Sequence, residues 1–236
     1  MQIIEPYAKM LPASGTFDAL TERSITEFTP AMGLALLRHV EWCSRISHRS
    51  EEAQTQDSWK RIIQNVVIEH GDWSVTEHAS VTVDAYVDRG ITHEWVRHRM
   101  GAYTQESTRF VNYQKKMAPS FVSPFVDAAN TRIDAAENWQ VLIEHCEMCY
   151  QDLISKGCAP QIARSVFPNA LASRLIVTYN LRSWRHFFIM RTTKEAHPQM
   201  RQVTIPLLAE FKEKIPLLYD DIEPNAKQSE SMKKAR

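Results

Sequence analysis

The densest run of chemistry-bearing side chains is Arg97-His98-Arg99, followed by Tyr103-Thr104-Gln105-Glu106-Ser107-Thr108-Arg109-Phe110. On a regular helix consecutive side chains splay by about 100°, so three adjacent basic residues there must serve different partners. In an extended segment, by contrast, Gln105, Ser107 and Arg109 project to one face while Glu106, Thr108 and Phe110 project to the other. The first trio suits a phosphate, because a guanidinium fork grips two oxygens while a hydroxyl and an amide donate to the rest. A solvated arginine-rich turn is the competing reading.

Three further sets of residues carry possible chemistry. His70, Glu77, His78, His93 and His98 are potential metal donors, but no HExxH or HxH spacing links them, and structural histidines with no metal are the expected reading. Cys146 and Cys149 form a CxxC within a helical pattern and without a second such pair. They read as buried free thiols on a core-facing stripe with Leu142 and Leu153 rather than as a zinc or redox site. Finally, Arg164 precedes Pro168, and Asn180-Leu181-Arg182 is followed by His186 and Arg191. Arg182 and His186 lie one helical turn apart, with Trp184, Phe187 and Phe188 as core. Arginines in aromatic surroundings fit a flat anionic ligand such as a flavin or nucleotide, although an amphipathic surface helix has the same pattern.

The framework that must position these residues is an ordinary globular one. The 236 residues, 44% hydrophobic and 24% charged, suit one domain over 1–236, with an irregular segment at about 1–29 and a polar basic tail at about 225–236. Lys+Arg and Asp+Glu are 28 each, so no global field favours a nucleic-acid polymer or an anionic membrane, and any basic site is local. The six glycines lie too far apart for a phosphate loop. No apolar run approaches the ~20 residues of a membrane span, no signal segment opens the chain, and four cysteines are too few for a secreted framework. These features point to a cytoplasmic protein.

Periodicity predicts a helix over Ala31–Ile46 with an apolar stripe of Met32, Leu34, Ala35, Leu36, Val40 and Cys43. A second helix spans Ser58–Glu69, capped by Asp57 and stopped at Gly71, with Trp59, Ile62, Ile63, Val66 and Val67 on one face. Alternation at Val81, Val83, Ala85 and Val87 predicts a strand over His78–Val87, and helical spacing returns at Asp88–Arg97. Met100–Tyr103 reads as a turn, Thr104–Tyr113 as extended and Met117–Asn130 as a loop. A long helix covers Ile133–Ser155 and stops near Gly157; a short one starts at Pro160 and ends before Pro168. Ala170–Asn180 fits strand or helix, with strand favoured at its end. Helices at Ser183–Thr192 and Glu195–Ile215 close the fold, and Gln228–Arg236 reads as a disordered tail. The expected class is α+β, a mixed sheet flanked by helices.

Taken together, the polar clusters resemble the flavin-dependent thymidylate synthases. Arg97-His98-Arg99, seven residues and then Ser107 reproduce that family's RHR-x7-S signature, and Gln105–Phe110 continues it. Ser44-Arg45-Ile46-Ser47, the S-x-x-E-H of Ser74–His78, the A-R-x-x-x-P of Ala163–Pro168, and Asn180-Leu181-Arg182 with Arg191 extend the similarity over roughly Ser44 to Ile215. The resemblance implies that family's fold and a homotetramer with active sites between subunits, each holding FAD. It also implies conversion of dUMP to dTMP for de novo dTTP synthesis, with 5,10-methylenetetrahydrofolate as carbon donor and NADPH as reductant. Carried over by position, Ser47, Ser74, Arg97, His98, Arg99, Gln105, Asn180, Arg182 and His186 are the expected flavin contacts. Glu94, Arg97, Gln105, Glu106, Ser107, Thr108, Arg109, Arg164 and Arg191 are the expected dUMP contacts, with Arg191 the catalytic arginine that stabilises an ionised uracil.

This chain departs from the family pattern at Glu94, where glutamine is common, at Thr104-Gln105 in place of Asn-Glu, at His186 in place of asparagine, and at Phe110 in place of tyrosine. Ordinary thymidylate synthases add a cysteine thiolate to uracil C6. No cysteine accompanies the motifs here, so the resemblance assigns hydride delivery to reduced flavin and makes Ser107 a binding residue. Three alternatives stay open: a related flavin enzyme with a hydroxymethyl or other C5 product, a metal-dependent nucleotide hydrolase using His70, Glu77, His78 and His98, and a single-strand nucleic-acid module using the arginines with Phe110 and Tyr113.

Overall fold

A computed structural model of the chain describes residues 2–12, 27–115, 118–126 and 132–235. The strands are β1 (Gln2–Ile4), β2 (Tyr7–Met10), β3 (Ser80–Asp88), β4 (Ala102–Gln105), β5 (Ser120–Val122) and β6 (Ala172–Asn180). The helices are α1 (Pro30–Ile46), α2 (Trp59–Ile62), α3 (Arg89–Trp95), α4 (Ile133–Ser155), α5 (Pro160–Ala163), α6 (Leu181–Arg191), α7 (Pro198–Lys214) and α8 (Gln228–Ser231). β1 pairs in parallel with β5, and a four-stranded sheet has the order β2-β3-β6-β4. The class is α+β.

Residues group into two compact units, each drawn from three stretches of chain: Met1–Tyr7, Ala85–Arg97 and Thr104–Leu175 in the first, and Ala8–Asp84, His98–Tyr103 and Ile176–Arg236 in the second. The chain crosses between them within β3 and again within β6. Both strands alternate: Val81, Val83, Ala85 and Val87 are buried, as are Leu175, Val177 and Tyr179.

In the first unit, Tyr113, Phe121, Ile143, Tyr150, Ala163 and Leu171 form a core, with the Tyr150 and Phe167 rings stacked at 4.6 Å. α4 contributes Ile143 and Tyr150, seven residues apart and therefore on one helical stripe, flanked by Trp139 and Leu153. Its opposite side exposes Ile133, Val141, Leu142 and Met148. Leu142 is 55% exposed and Cys146 and Cys149 are only half buried, so the expected stripe through Leu142 is displaced: the core contacts follow Ile143.

The second unit packs α1, α6 and α7 around an aromatic core of Tyr179, Trp184, Phe187, Phe188, Phe211 and Tyr219. Thr29 caps α1 by accepting from Met32 N, and Pro30 fits the first turn. The buried face of α1 is Gly33, Leu37, Val40, Glu41, Ser44 and Arg45, so of the expected stripe of Met32, Leu34, Ala35, Leu36, Val40 and Cys43 only Val40 is fully buried. A Cβ on Gly33 would lie 1.7 Å from the Lys214 carbonyl oxygen, so only glycine admits this approach. The buried Glu41 carboxylate also anchors its surroundings: it pairs with Arg45 at 2.8 Å and accepts from Ser58 Oγ and from Gln54 Nε2 at 3.1 Å.

Other local expectations change where long-range pairing or turn chemistry intervenes. Irregular structure was expected at about 1–29 and a loop at 117–130, yet β1 and β5 form there because each satisfies the other's backbone groups. Residues 13–26, 116–117 and 127–131 lie outside the described residues. The expected 58–69 helix is α-helical only to Ile62 and continues as π-helix over Ile63–Glu69, keeping Trp59, Ile63 and Val67 buried. Asp57 does not cap it; its carboxylate pairs with Lys60 at 3.1 Å. α7 starts at Pro198, where His197 Nδ1 accepts from Gln199 N. The polar tail carries α8 and a 3-10 turn at Met232–Ala235, and Ser231 is buried, so disorder at Gln228–Ala235 is not what forms.

Candidate active site

In the first unit, Asp88 caps α3 by accepting from Ile91 N at 3.0 Å, and the chain leaves the helix at Trp95. Arg97, His98 and Arg99 therefore lie beyond the helix, and their side chains are not spaced by helical geometry. β4 ends at Gln105, and Glu106 N makes a last bond to Arg174 O at 2.8 Å. Phe110 N and Val111 N then both donate to the Ser107 carbonyl, at 3.1 and 3.0 Å, so Ser107–Phe110 is a turn. The expected extended face of Gln105, Ser107 and Arg109 does not form.

The turn sorts these side chains differently. Gln105 Nε2 donates to Thr92 Oγ1 at 3.0 Å and to Ser173 Oγ at 3.2 Å, two buried hydroxyls. Glu106 accepts from the Tyr113 hydroxyl at 2.7 Å; burial, and then this carboxylate, push the phenol well above its ordinary pKa. Ser107 Oγ accepts from Arg109 N. Thr108 is buried and accepts from Arg164 Nη1 at 3.0 Å, while Arg109 Nε donates to Gln161 Oε1 at 3.2 Å. Arg164, in the 3-10 turn after α5, and Arg109 are thus both tied to the rim of one open cavity of about 440 Å³. Arg89, Thr108, Gln161, Arg164 and Ser165 line it, with Phe167 and Leu171 as apolar lining. Two guanidinium groups, hydroxyls and no carboxylate make this lining suited to an anion. Glu94 is half buried in α3, and its carbonyl accepts from N of the exposed Arg97.

In the second unit, the His98 ring contacts Phe187 edge-on at 5.0 Å and His186 at 6.1 Å, and its Nε2 accepts from Arg191 Nε at 2.8 Å. Burial, then Arg191, then His186 push its pKa down to about 4. The imidazole is therefore neutral near pH 7 and, with Nε2 accepting, carries its proton on Nδ1. The Arg191 carbonyl accepts from Thr204 Oγ1 at 2.9 Å, which fastens the end of α6 to α7. Tyr103 donates to the His98 carbonyl and shares a hydrogen bond with the Tyr179 hydroxyl. A Cβ on Gly101 would lie 2.1 Å from the Tyr179 ring, so glycine is required for the 98–103 segment to lie against β6.

The other second-unit candidates are more open. Arg182 pairs with Glu77 at 2.6 Å, both about half exposed. Asn180 Oδ1 caps α6 by accepting from Ser183 N at 2.8 Å. Ser47 Oγ donates to the Ser44 carbonyl, and Ser74, Arg99 and His186 are exposed.

Residues 35–217 match the family model described as thymidylate synthase complementing protein. This chain belongs to that family. Among its curated relatives, the flavin-dependent thymidylate synthase of Corynebacterium aurimucosum is 31% identical over 196 residues, covering 77% of this chain and 78% of the relative. The enzyme of that name from Pyrococcus furiosus is 30% identical over 197 residues, 80% of this chain and 77% of the relative. That of Corynebacterium efficiens is 36% identical over 168 residues, 66% of this chain and 67% of the relative.

The structure gathers Thr108, Arg109 and Arg164 in one place and His98, His186 and Arg191 in another. Gln105 and Glu106 turn instead to neighbouring hydroxyls. Arg89, which the sequence reading did not single out, also lines the first of these places. Tyr179 was missed because strand alternation marks it as core and gives no sign of its hydroxyl. The alternative roles lose residues to other partners: Glu77 is paired with Arg182, and Tyr113, 3% exposed, with Glu106. Burial, then Cys149, raise the Cys146 pKa, which disfavours a thiolate.

Proposed function

We propose that this chain is a flavin-dependent thymidylate synthase that converts dUMP to dTMP for de novo dTTP synthesis, taking carbon from 5,10-methylenetetrahydrofolate and reducing equivalents from NADPH through FAD. The observation that carries the reading is the Arg191–His98 hydrogen bond, inside a family match over residues 35–217. A neutral imidazole accepting at Nε2 fixes a guanidinium without cancelling its charge. The remaining N–H groups of Arg191 are then preorganised for the charge that develops on uracil when its ring is activated.

The residues present fit FAD. His98 Nδ1–H, the exposed Arg99 and His186, and the half-exposed Arg182 form a donor set matched to a flavin's acceptor-rich pyrimidine edge and pyrophosphate. We assign the group to Ser47, Ser74, Arg97, His98, Arg99, Gln105, Asn180, Arg182 and His186; when bound it supplies hydride chemistry that the side chains lack. Asn180 and Gln105 contribute chiefly by holding α6 and the start of the Ser107 turn. Glu94, Arg97, Gln105, Glu106, Ser107, Thr108, Arg109, Arg164 and Arg191 are assigned to dUMP. Arg109 and Arg164 take the phosphate, Thr108 orients Arg164, and Ser107 binds rather than attacks.

The exposed apolar residues Ile133, Val141, Leu142 and Met148 of α4, with Ile162, favour a homotetramer with active sites between subunits. No helix among the described residues is long and apolar enough to cross a membrane, and a cytoplasmic location suits the reading. The test is direct. Purified protein should show flavin absorbance, form dTMP from dUMP only with methylenetetrahydrofolate and NADPH, and elute as a tetramer. Mass spectrometry of the product separates a methyl from a hydroxymethyl group at C5. A colourless preparation that takes up no FAD and leaves dUMP unchanged overturns the assignment.

A further inference from the structure

Two of the partly or wholly buried arginines are held in opposite ways. Arg185, 7% exposed, is fully committed: it pairs with Asp221 through both terminal nitrogens, donates to the Leu218 carbonyl, and lies 4.3 Å over the Trp73 ring. Arg89 is half buried at the start of α3, yet among the described residues its guanidinium has neither a hydrogen bond nor an ion pair. Half withdrawn from water at the wall of an open cavity, a guanidinium with no protein partner is placed to receive an anion from outside the chain.

Its backbone makes Arg89 a fixed platform. Arg89 N donates to both the Asn169 and Leu171 carbonyls, at 2.9 and 3.1 Å, and Asp88 caps the turn that follows. Its side chain lines the same cavity as Thr108 and Arg164. We infer that Arg89 is a further phosphate-binding residue, acting with Arg164 to discriminate a nucleoside monophosphate from the uncharged nucleoside. The inference rests on the nucleotide reading above and adds to it a residue that neither the motifs nor the family resemblance singles out. A second bidentate guanidinium raises the site's preference for a doubly charged terminal phosphate over a hydroxyl.

Isothermal titration at fixed salt of wild type, R89Q and R89K with dUMP, deoxyuridine and inorganic phosphate tests it. In R89Q the dUMP dissociation constant should rise roughly 10- to 150-fold. R89K, which keeps the charge and loses the fork, should fall between, and deoxyuridine should bind all three proteins alike. Thermal melting establishes that the variants fold; should R89Q not fold, R89K carries the test through the same dUMP-to-deoxyuridine ratio. Unchanged dUMP affinity in the variants, or equal loss for dUMP and deoxyuridine, overturns the inference and leaves the nucleotide reading standing. Wild type that binds phosphate but not dUMP refutes the nucleotide reading; loss of that phosphate binding in R89Q then still supports Arg89. Wild type that binds neither refutes both.

Discussion

The cavity of the first unit and the His98 cluster of the second both centre on arginines, but they hold them differently. Arg109 and Arg164 are exposed, and each is tethered by one neutral side chain, Gln161 or Thr108. Arg191 is half buried and bonded to a ring that burial and its own charge keep unprotonated. A lightly tethered, hydrated guanidinium suits an anion that is charged before it arrives. A clamped one suits charge that appears only during reaction, since the cost of orienting it has already been met in folding.

The sharpest test of this contrast removes the clamped arginine. Arg191→Ala should lower dTMP formation by roughly 10²–10³-fold or more while bound flavin persists, measured as turnover against flavin absorbance. Loss of the flavin would place Arg191 in cofactor binding and erase the distinction. Arg164→Ala should act on affinity instead, weakening dUMP by roughly 10- to 150-fold in titration; an intact dissociation constant would remove it from the phosphate site.

A smaller effect comes from the His98 ring. Its pKa lies near 4 in the folded chain against an ordinary 6.5. Between those values the unfolded chain binds the proton and the folded chain does not, so stability is lost as pH falls through that window. Urea midpoints at about pH 7.5 and about pH 5 should therefore diverge more in wild type than in His98→Gln. Equal divergence would mean that other groups dominate the acid limb. The smallest effect is expected from replacing Cys43, Cys146, Cys149 and Cys158 together with serine: folded protein should keep its turnover, and its loss would bring a thiol back into the chemistry.

Legibility in the sequence followed the range of the interaction. α4 runs from Ile133 to Ser155 as its periodicity predicts, because a local stripe and the positive φ of Gly157 define it. β3 was visible through alternation, whereas the stretch that forms β6 fitted strand or helix. β1 and β5 were not visible, since each is a strand only by virtue of the other, far away in the chain. The RHR-x7-S spacing singled out Arg97–Ser107 as candidates, but alternation misjudged the directions of the side chains after Gln105. It assumed that the strand continued past Gln105, whereas two amides folding back onto the Ser107 carbonyl redirect everything after it. Arg89 stayed hidden because its importance lies in the partner it lacks, which spacing alone does not report.

The interleaved make-up of the two units has a practical corollary for dissecting this protein. Each unit is collected from three discontinuous stretches, so no single uninterrupted piece of polypeptide contains one without part of the other. A truncation that keeps every residue of the unit with the anion-lined cavity still carries Ala8–Asp84 and His98–Tyr103 of the other, so point substitution in the intact chain is the means of separating their contributions.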